Sequence, residues 1–161
     1  MKTFKEYAIT KDLTRKNVCV VYDQTTQTNL RAWCEKNNFD LTVKYKGEKQ
    51  KAEDFEFHTT LIYSENKLNL ENVREEISGS STCVGIDLLG ENKDIPVIKI
   101  KSSSLLILRA KYEKIGLKDK WPEYLPHISI SYDKKQYDLS KIVLPSFDLT
   151  YDVLKIEDVD D

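Results

Sequence analysis

The chain has only two histidines, and each is followed two positions later by a hydroxyl side chain: His58-Thr59-Thr60 and His127-Ile128-Ser129. Ser and Thr make up 22 of 161 residues, so composition alone would produce both coincidences about 2% of the time. An imidazole near its ordinary pKa of about 6.5 both takes and gives a proton at neutral pH. Cleaving a phosphodiester needs a base for the attacking oxygen and an acid for the leaving one. Two histidines supply both, and two hydroxyls can donate to the non-bridging oxygens as charge builds in the transition state. The set His58, Thr60, His127 and Ser129 therefore points to phosphoester chemistry without a metal or other cofactor.

The i, i+2 spacing has meaning only on strands, where alternate side chains share a face. The pattern His127, Ser129, Ser131 against Ile128, Ile130, Tyr132 gives one polar and one apolar face. The first motif is less clean, with His58, Thr60 and Ile62 on one face and Phe57, Thr59, Leu61 and Tyr63 on the other. Two such strands lying side by side would line one groove. Isolated histidines on strands are more often plain polar residues, but the duplication argues against that reading here.

The surrounding elements repeat in the same way. A β-rich run at 18–22 precedes a helix marked by Leu30, Trp33 and Cys34 and ending near Asn37-Asn38. A strand over 57–63 then carries His58. Strands over 82–89 and 95–101 flank a hairpin turn at 90–94. The second of these leads into a helix marked by Leu105, Leu108, Tyr112 and Ile115 and closed by Gly116, and a strand over 127–132 carries His127. Leu70, Val73 and Ile77 predict a short helix capped by Asn69, with Ser78-Gly79-Ser80-Ser81 as a loop. The last strand spans 147–156. Residues 1–16 read as an arm, 17–157 as one domain and 158–161 as an acidic tail. The charge-dense stretch 44–54 reads as a solvated loop, or alternatively as a lid offering Lys46, Lys49 or Lys51 to an anion.

Composition narrows the classes. A net charge of −2 argues against gripping long nucleic acid by bulk charge, while leaving room for a small anion in a local pocket. Cys19, Cys34 and Cys83 fit no zinc spacing, and Cys19 and Cys34 read as buried reduced thiols, which suits a cytoplasmic protein. No apolar run reaches signal-peptide or membrane-span length.

The paired His-x-Thr and His-x-Ser motifs resemble those of the two-histidine (2H) phosphoesterase superfamily, over roughly residues 17–157. The segments Phe57–Ser64 and Pro126–Tyr132 are similar to those of the phage anti-CBASS nucleases, which destroy the cyclic di- and trinucleotide signals of bacterial antiphage defence. The resemblance implies an α+β fold, bilobal and pseudo-symmetric, with concave, mainly antiparallel sheets and flanking helices. It implies His58 and His127 as an acid–base pair, Thr60 and Ser129 on the phosphate, and the substrate's own 2′-hydroxyl as nucleophile. A cyclic nucleotide of the 3′,3′-cGAMP type is then the expected partner, in the cytoplasm of a bacterial host, with no membrane partner. Which histidine starts as base stays open. Tyr22 and Trp121 are candidates for stacking on a base, against core and loop-anchor readings. Glu157 is a candidate for reading a base edge, against membership of the acidic tail. A 2′,3′-cyclic phosphodiesterase or RNA-end processor, a non-catalytic sponge and a purely structural protein are the competing readings.

Overall fold

The computed structural model describes residues 13–159. Six strands and two α-helices follow in the order β1 (Thr14–Tyr22), α1 (Gln24–Lys36), β2 (His58–Leu68), β3 (Val73–Leu89), β4 (Ile95–Lys101), α2 (Ser103–Lys114), β5 (His127–Ser129) and β6 (Leu149–Asp158). The strands form one antiparallel sheet in the order β2-β1-β6-β3-β4-β5. The fold is α+β, and its two lobes repeat one plan. In the first, β1–α1–β2 delivers His58; in the second, β4–α2–β5 delivers His127.

Each helix begins where a side chain can replace the missing backbone acceptor. Asp23 accepts from the Thr26 amide at 2.8 Å, and Ser102 from the Leu105 amide at 3.2 Å. Gly116 ends the second helical segment at φ 113°, a conformation open to glycine without a Cβ penalty. Val18, Val20 and Tyr22 alternate onto the helix side and join Leu30, Trp33, Leu61, Ile62, Ile98, Ile128 and Ile130 in the core. Cys19 and Val21 take the opposite face.

Several expectations give way. Thr14–Lys16, read as the end of an arm, open β1, and Lys16 is buried with its ammonium 2.6 Å from Asp158. Asp158, read as tail, is accordingly the last residue of β6. Residues 1–12 of the arm and 160–161 of the tail lie outside the described residues. There is no helix over 70–77: Val73 and Ile77 lie in β3, and their separation of four residues satisfies a strand's even period as well as a helix's. Ser78–Ser81 is not a loop but the middle of β3. A Cβ at Gly79 would stand 2.1 Å from the Tyr151 hydroxyl, so glycine is there to let a buried ring lie across the strand. The expected strand over 127–132 keeps ladder pairing only through Ser129. Ser131 instead buries its hydroxyl against the Asp40 carbonyl at 2.7 Å. None of the described helices is long and apolar enough to cross a membrane.

Candidate active site

The two motif strands are not neighbours in the sheet. They are its two edges, brought together by curvature and tied by side chains. Thr59 Oγ1 donates to the His127 carbonyl at 3.0 Å, and the Tyr124 hydroxyl donates to the Thr60 carbonyl at 2.9 Å. Each lobe thus holds the backbone of the other lobe's motif. The expectation of side-by-side ladder pairing is corrected to a seam of side-chain bonds.

Donor counting gives that seam a direction. A carbonyl only accepts, so the single Thr59 hydroxyl proton goes to His127. Tyr22, 2.8 Å from Thr59 Oγ1, must then donate to it, and Ser81, 3.1 Å from Tyr22, must donate to Tyr22. The chain Ser81→Tyr22→Thr59→His127 crosses β3, β1, β2 and β5. Burial pushes the Tyr22 phenol up to about 12, so it keeps the proton that it donates. Its ring is only 2% exposed. Tyr22 is therefore a brace beneath the seam with no face for a base, and its stacking role is corrected.

The histidines are held alike. His58 Nδ1 lies 3.1 Å from the Glu56 carbonyl, and His127 Nδ1 lies 2.7 Å from the Leu125 carbonyl. Each carbonyl fixes the proton on Nδ1 of the neutral ring, leaving the Nε2 lone pair free to take a proton. Burial holds both rings below the ordinary histidine pKa. For His58 the Glu56 bond opposes this, the Lys155 cation adds to it, and the Glu56 and Glu157 carboxylates also oppose it. For His127 the Leu125 bond alone opposes burial. Gln27 of α1 fixes the approach to the first motif, accepting from the Phe57 amide at 2.8 Å and donating to the Phe57 carbonyl at 2.8 Å.

Register defines the groove floor. Thr60 pairs with Cys19, Cys19 with Lys155, and Lys155 with Arg74, so one row on one face crosses β2, β1, β6 and β3. Lys155 lies 3.2 Å from Glu56 and 3.7 Å from Glu157, and Arg74 lies 3.6 Å from Glu56. Beneath it, burial raises the Cys19 thiol to about 12, which leaves it inert. Sequence reasoning missed Lys155 and Arg74, because nothing local to β6 or β3 reveals which residues share a row with Thr60.

The register also steps. Cys19 pairs with Thr60 but Val18 with Ile62, leaving Leu61 as the extra residue of a β-bulge. Arg109 takes up the bulged Leu61 carbonyl at 3.2 Å. The bulge reverses the expected faces: Leu61 and Ile62 are both buried in the core, and Tyr63, opposite Asn17, comes round to the Thr60 face. Glu157 also pairs with Asn17, so it lies exposed on that face rather than in a free tail. Asn17 Oδ1 between them is buried without a hydrogen-bond partner among the described residues. Trp121 is 53% exposed, with its ring 5.5 Å from that of Tyr63. Tyr132 packs against the core, as its place on the Ile128 face leads one to expect; burial raises its phenol, and the nearby Ser129 hydroxyl opposes that rise.

A family model described as anti-CBASS protein Acb1 matches residues 16–161. The chain belongs to this family. Among solved structures it is similar to E. coli LigT, crystallised with 3′-AMP, at 12% identity and a TM-score of 0.51, over 89% of this chain and 87% of that one. That likeness concerns the fold, which is the two-histidine phosphoesterase fold. None of the curated proteins matches the chain in sequence. As an Acb1-family member of the two-histidine superfamily, the protein is a phosphodiesterase acting on cyclic nucleotides.

Proposed function

We propose that this Acb1-family protein linearises cyclic di- and trinucleotides of the 3′,3′-cGAMP type and thereby disarms CBASS defence. The reading rests on one observation: two histidines, each locked through Nδ1 by the carbonyl two residues before it, sit on edge strands that the Thr59–His127 and Tyr124–Thr60 bonds tie together.

In the proposed step one Nε2 takes the proton of a substrate 2′-hydroxyl. The 2′-oxygen attacks the adjacent phosphorus and the P–O5′ bond breaks. The other histidine, protonated when substrate is bound, gives its Nε2 proton to O5′. Thr60 and Ser129 donate to the non-bridging oxygens as their charge grows. The product is a 2′,3′-cyclic phosphate, which water opens to a 3′-phosphate with the histidine roles reversed. The phosphodiester's negative charge supports the starting state, because it raises the pKa of an adjacent imidazole and offsets the effect of burial. No step requires a metal. Trp121 and Glu157 are assigned to nucleobase contacts.

The test is chromatography of 3′,3′-cGAMP incubated with the protein in EDTA, beside the His58→Ala/His127→Ala variant. Loss of the cyclic species with the native protein alone is expected. An intact ligand that co-elutes with the native protein would instead mark a sponge. Turnover confined to 2′,3′-cyclic mononucleotides would replace the substrate while keeping the chemistry.

A further inference from the structure

Both motifs extend to a tyrosine at the same distance. Tyr63 stands five residues after His58, and Tyr132 five after His127. Neither belongs on the groove face of an unbroken strand. The Leu61 bulge brings Tyr63 to that face, and beyond the end of β5 at Ser129 Tyr132 packs between the core and the exposed ring of Tyr45.

Each of these tyrosines supports a second, exposed aromatic ring. Trp121 leans on Tyr63 with centroids 5.5 Å apart. Lys120 lies over both rings, at 5.9 Å from Tyr63 and 5.5 Å from Trp121. Tyr45, from the loop after α1, stands edge-on to Tyr132 at 5.6 Å and is 69% exposed. Tyr132 is itself stacked on Phe55 at 5.6 Å, and Phe55 packs on Phe57 at 4.8 Å. Large rings held so open to water bury little area in exchange, and a pinned ring offers a face to a planar ligand at low entropic cost.

The two platforms lie at opposite ends of the groove. Residues 55, 59 and 60 on one side of the seam meet 132, 127 and 124 on the other. The motif strands therefore run antiparallel across it, and Tyr63 and Tyr132 diverge from the histidines in opposite directions. We infer that Tyr45 on Tyr132 and Trp121 on Tyr63 are two nucleobase platforms, one at each end, which hold the two bases of a cyclic dinucleotide across the paired histidines. This rests on the proposed cyclic-nucleotide reading and deepens it. A two-base ligand engages both platforms at once, whereas a one-base ligand needs only one.

The experiment measures calorimetric affinity in the His58→Ala background, which retains ligand intact, with 3′,3′-cGAMP and with 2′,3′-cyclic AMP. Tyr45→Ala and Trp121→Ala are each expected to weaken 3′,3′-cGAMP binding about tenfold, as loss of a stacking partner does. The double variant should lose about a hundredfold, because distant sites add. Tyr45→Phe keeps the ring and should keep the affinity. Against 2′,3′-cyclic AMP each single substitution should cost less than about threefold, since the other platform remains. An unchanged 3′,3′-cGAMP affinity in Tyr45→Ala, beside a loss in Trp121→Ala, overturns the paired platforms and leaves the proposed substrate standing. If the His58→Ala protein binds no 3′,3′-cGAMP, the substrate reading itself fails and takes the platforms with it.

Discussion

Replacing Thr59 by valine tests whether the seam sets the distance between the two histidines. Thr59 is fully buried and its hydroxyl is the direct link from β2 to the His127 carbonyl. Valine keeps the shape and removes the proton. Tyr22 is not stranded, because its hydroxyl can rotate to donate to Ser81, 3.1 Å away. The His127 carbonyl loses its Thr59 donor, at a cost of about 1–3 kcal/mol for a buried unsatisfied acceptor. Against a total of about 5–15 kcal/mol for a domain, the variant still folds. Catalysis should suffer more than stability suggests, since a misplacement of about 1 Å costs about a hundredfold in rate. Single-turnover cleavage of a cyclic dinucleotide should therefore slow by about 10- to 100-fold, with ligand affinity in the His58→Ala background nearly unchanged. Thr59→Ser restores the donor and should restore the rate. Full activity in Thr59→Val, or an equal defect in Thr59→Ser, would show that the hydroxyl does not position His127.

Four other outcomes follow. Both histidines lie below their ordinary pKa, and the free protein needs one of them protonated, so kcat/KM should fall about tenfold per pH unit above about 6.5, and substrate binding at neutral pH should take up a proton, visible as a buffer-dependent binding enthalpy. The same depression means that the unfolded chain binds those protons more tightly, so this contribution to stability is fully present above about 6.5 and is lost as pH falls below that toward the lower folded-state pKa; urea midpoints at stepped pH values read it. Lys155→Met removes a cation that lowers the His58 pKa, so the His58 ring should titrate higher by NMR while His127 stays unmoved. Gly79→Ala forces a Cβ to within 2.1 Å of the Tyr151 hydroxyl, an overpacking cost of about 1–3 kcal/mol that calorimetry should register as a Tm lower by several degrees.

The chemistry was more legible in the sequence than its scaffold. The two motifs, both helices and the 90–94 hairpin show in local periodicity, caps and turn residues, because those signals lie within a few positions of the feature that they report. Val73 and Ile77 mislead because a four-residue separation fits two periods. The Leu61 bulge has no sequence mark of its own. It exists because Arg109, from the second lobe, receives the carbonyl that the ladder leaves out. Tyr45 reaches Tyr132 from the loop after α1, and Lys155 reaches the row of Thr60 through the register of β6; neither contact is local in sequence. Tyr22 shows the reverse case: a tyrosine ending a strand beside the site looks available to a ligand, and register places it underneath.

Duplication explains how the site is built, but duplication alone does not say which histidine starts as the acid. Two identical imidazoles have no fixed division of labour, and the reaction requires one to hold a proton while the other does not. The repeat gives both rings the same lock, Nδ1 to a carbonyl two residues back. Their electrostatics differ. His127 answers only to burial and its backbone bond. His58 also feels Lys155 and Glu157 of β6 and Glu56, two residues before it in the chain. Cations and carboxylates there pull its proton affinity in opposite directions, so substitution in that one row can tune His58 without disturbing its partner. The symmetric backbone gives both rings the same Nδ1 lock, and the charged groups around His58 alone make its proton affinity the one that substitution at Lys155 or Glu157 can move.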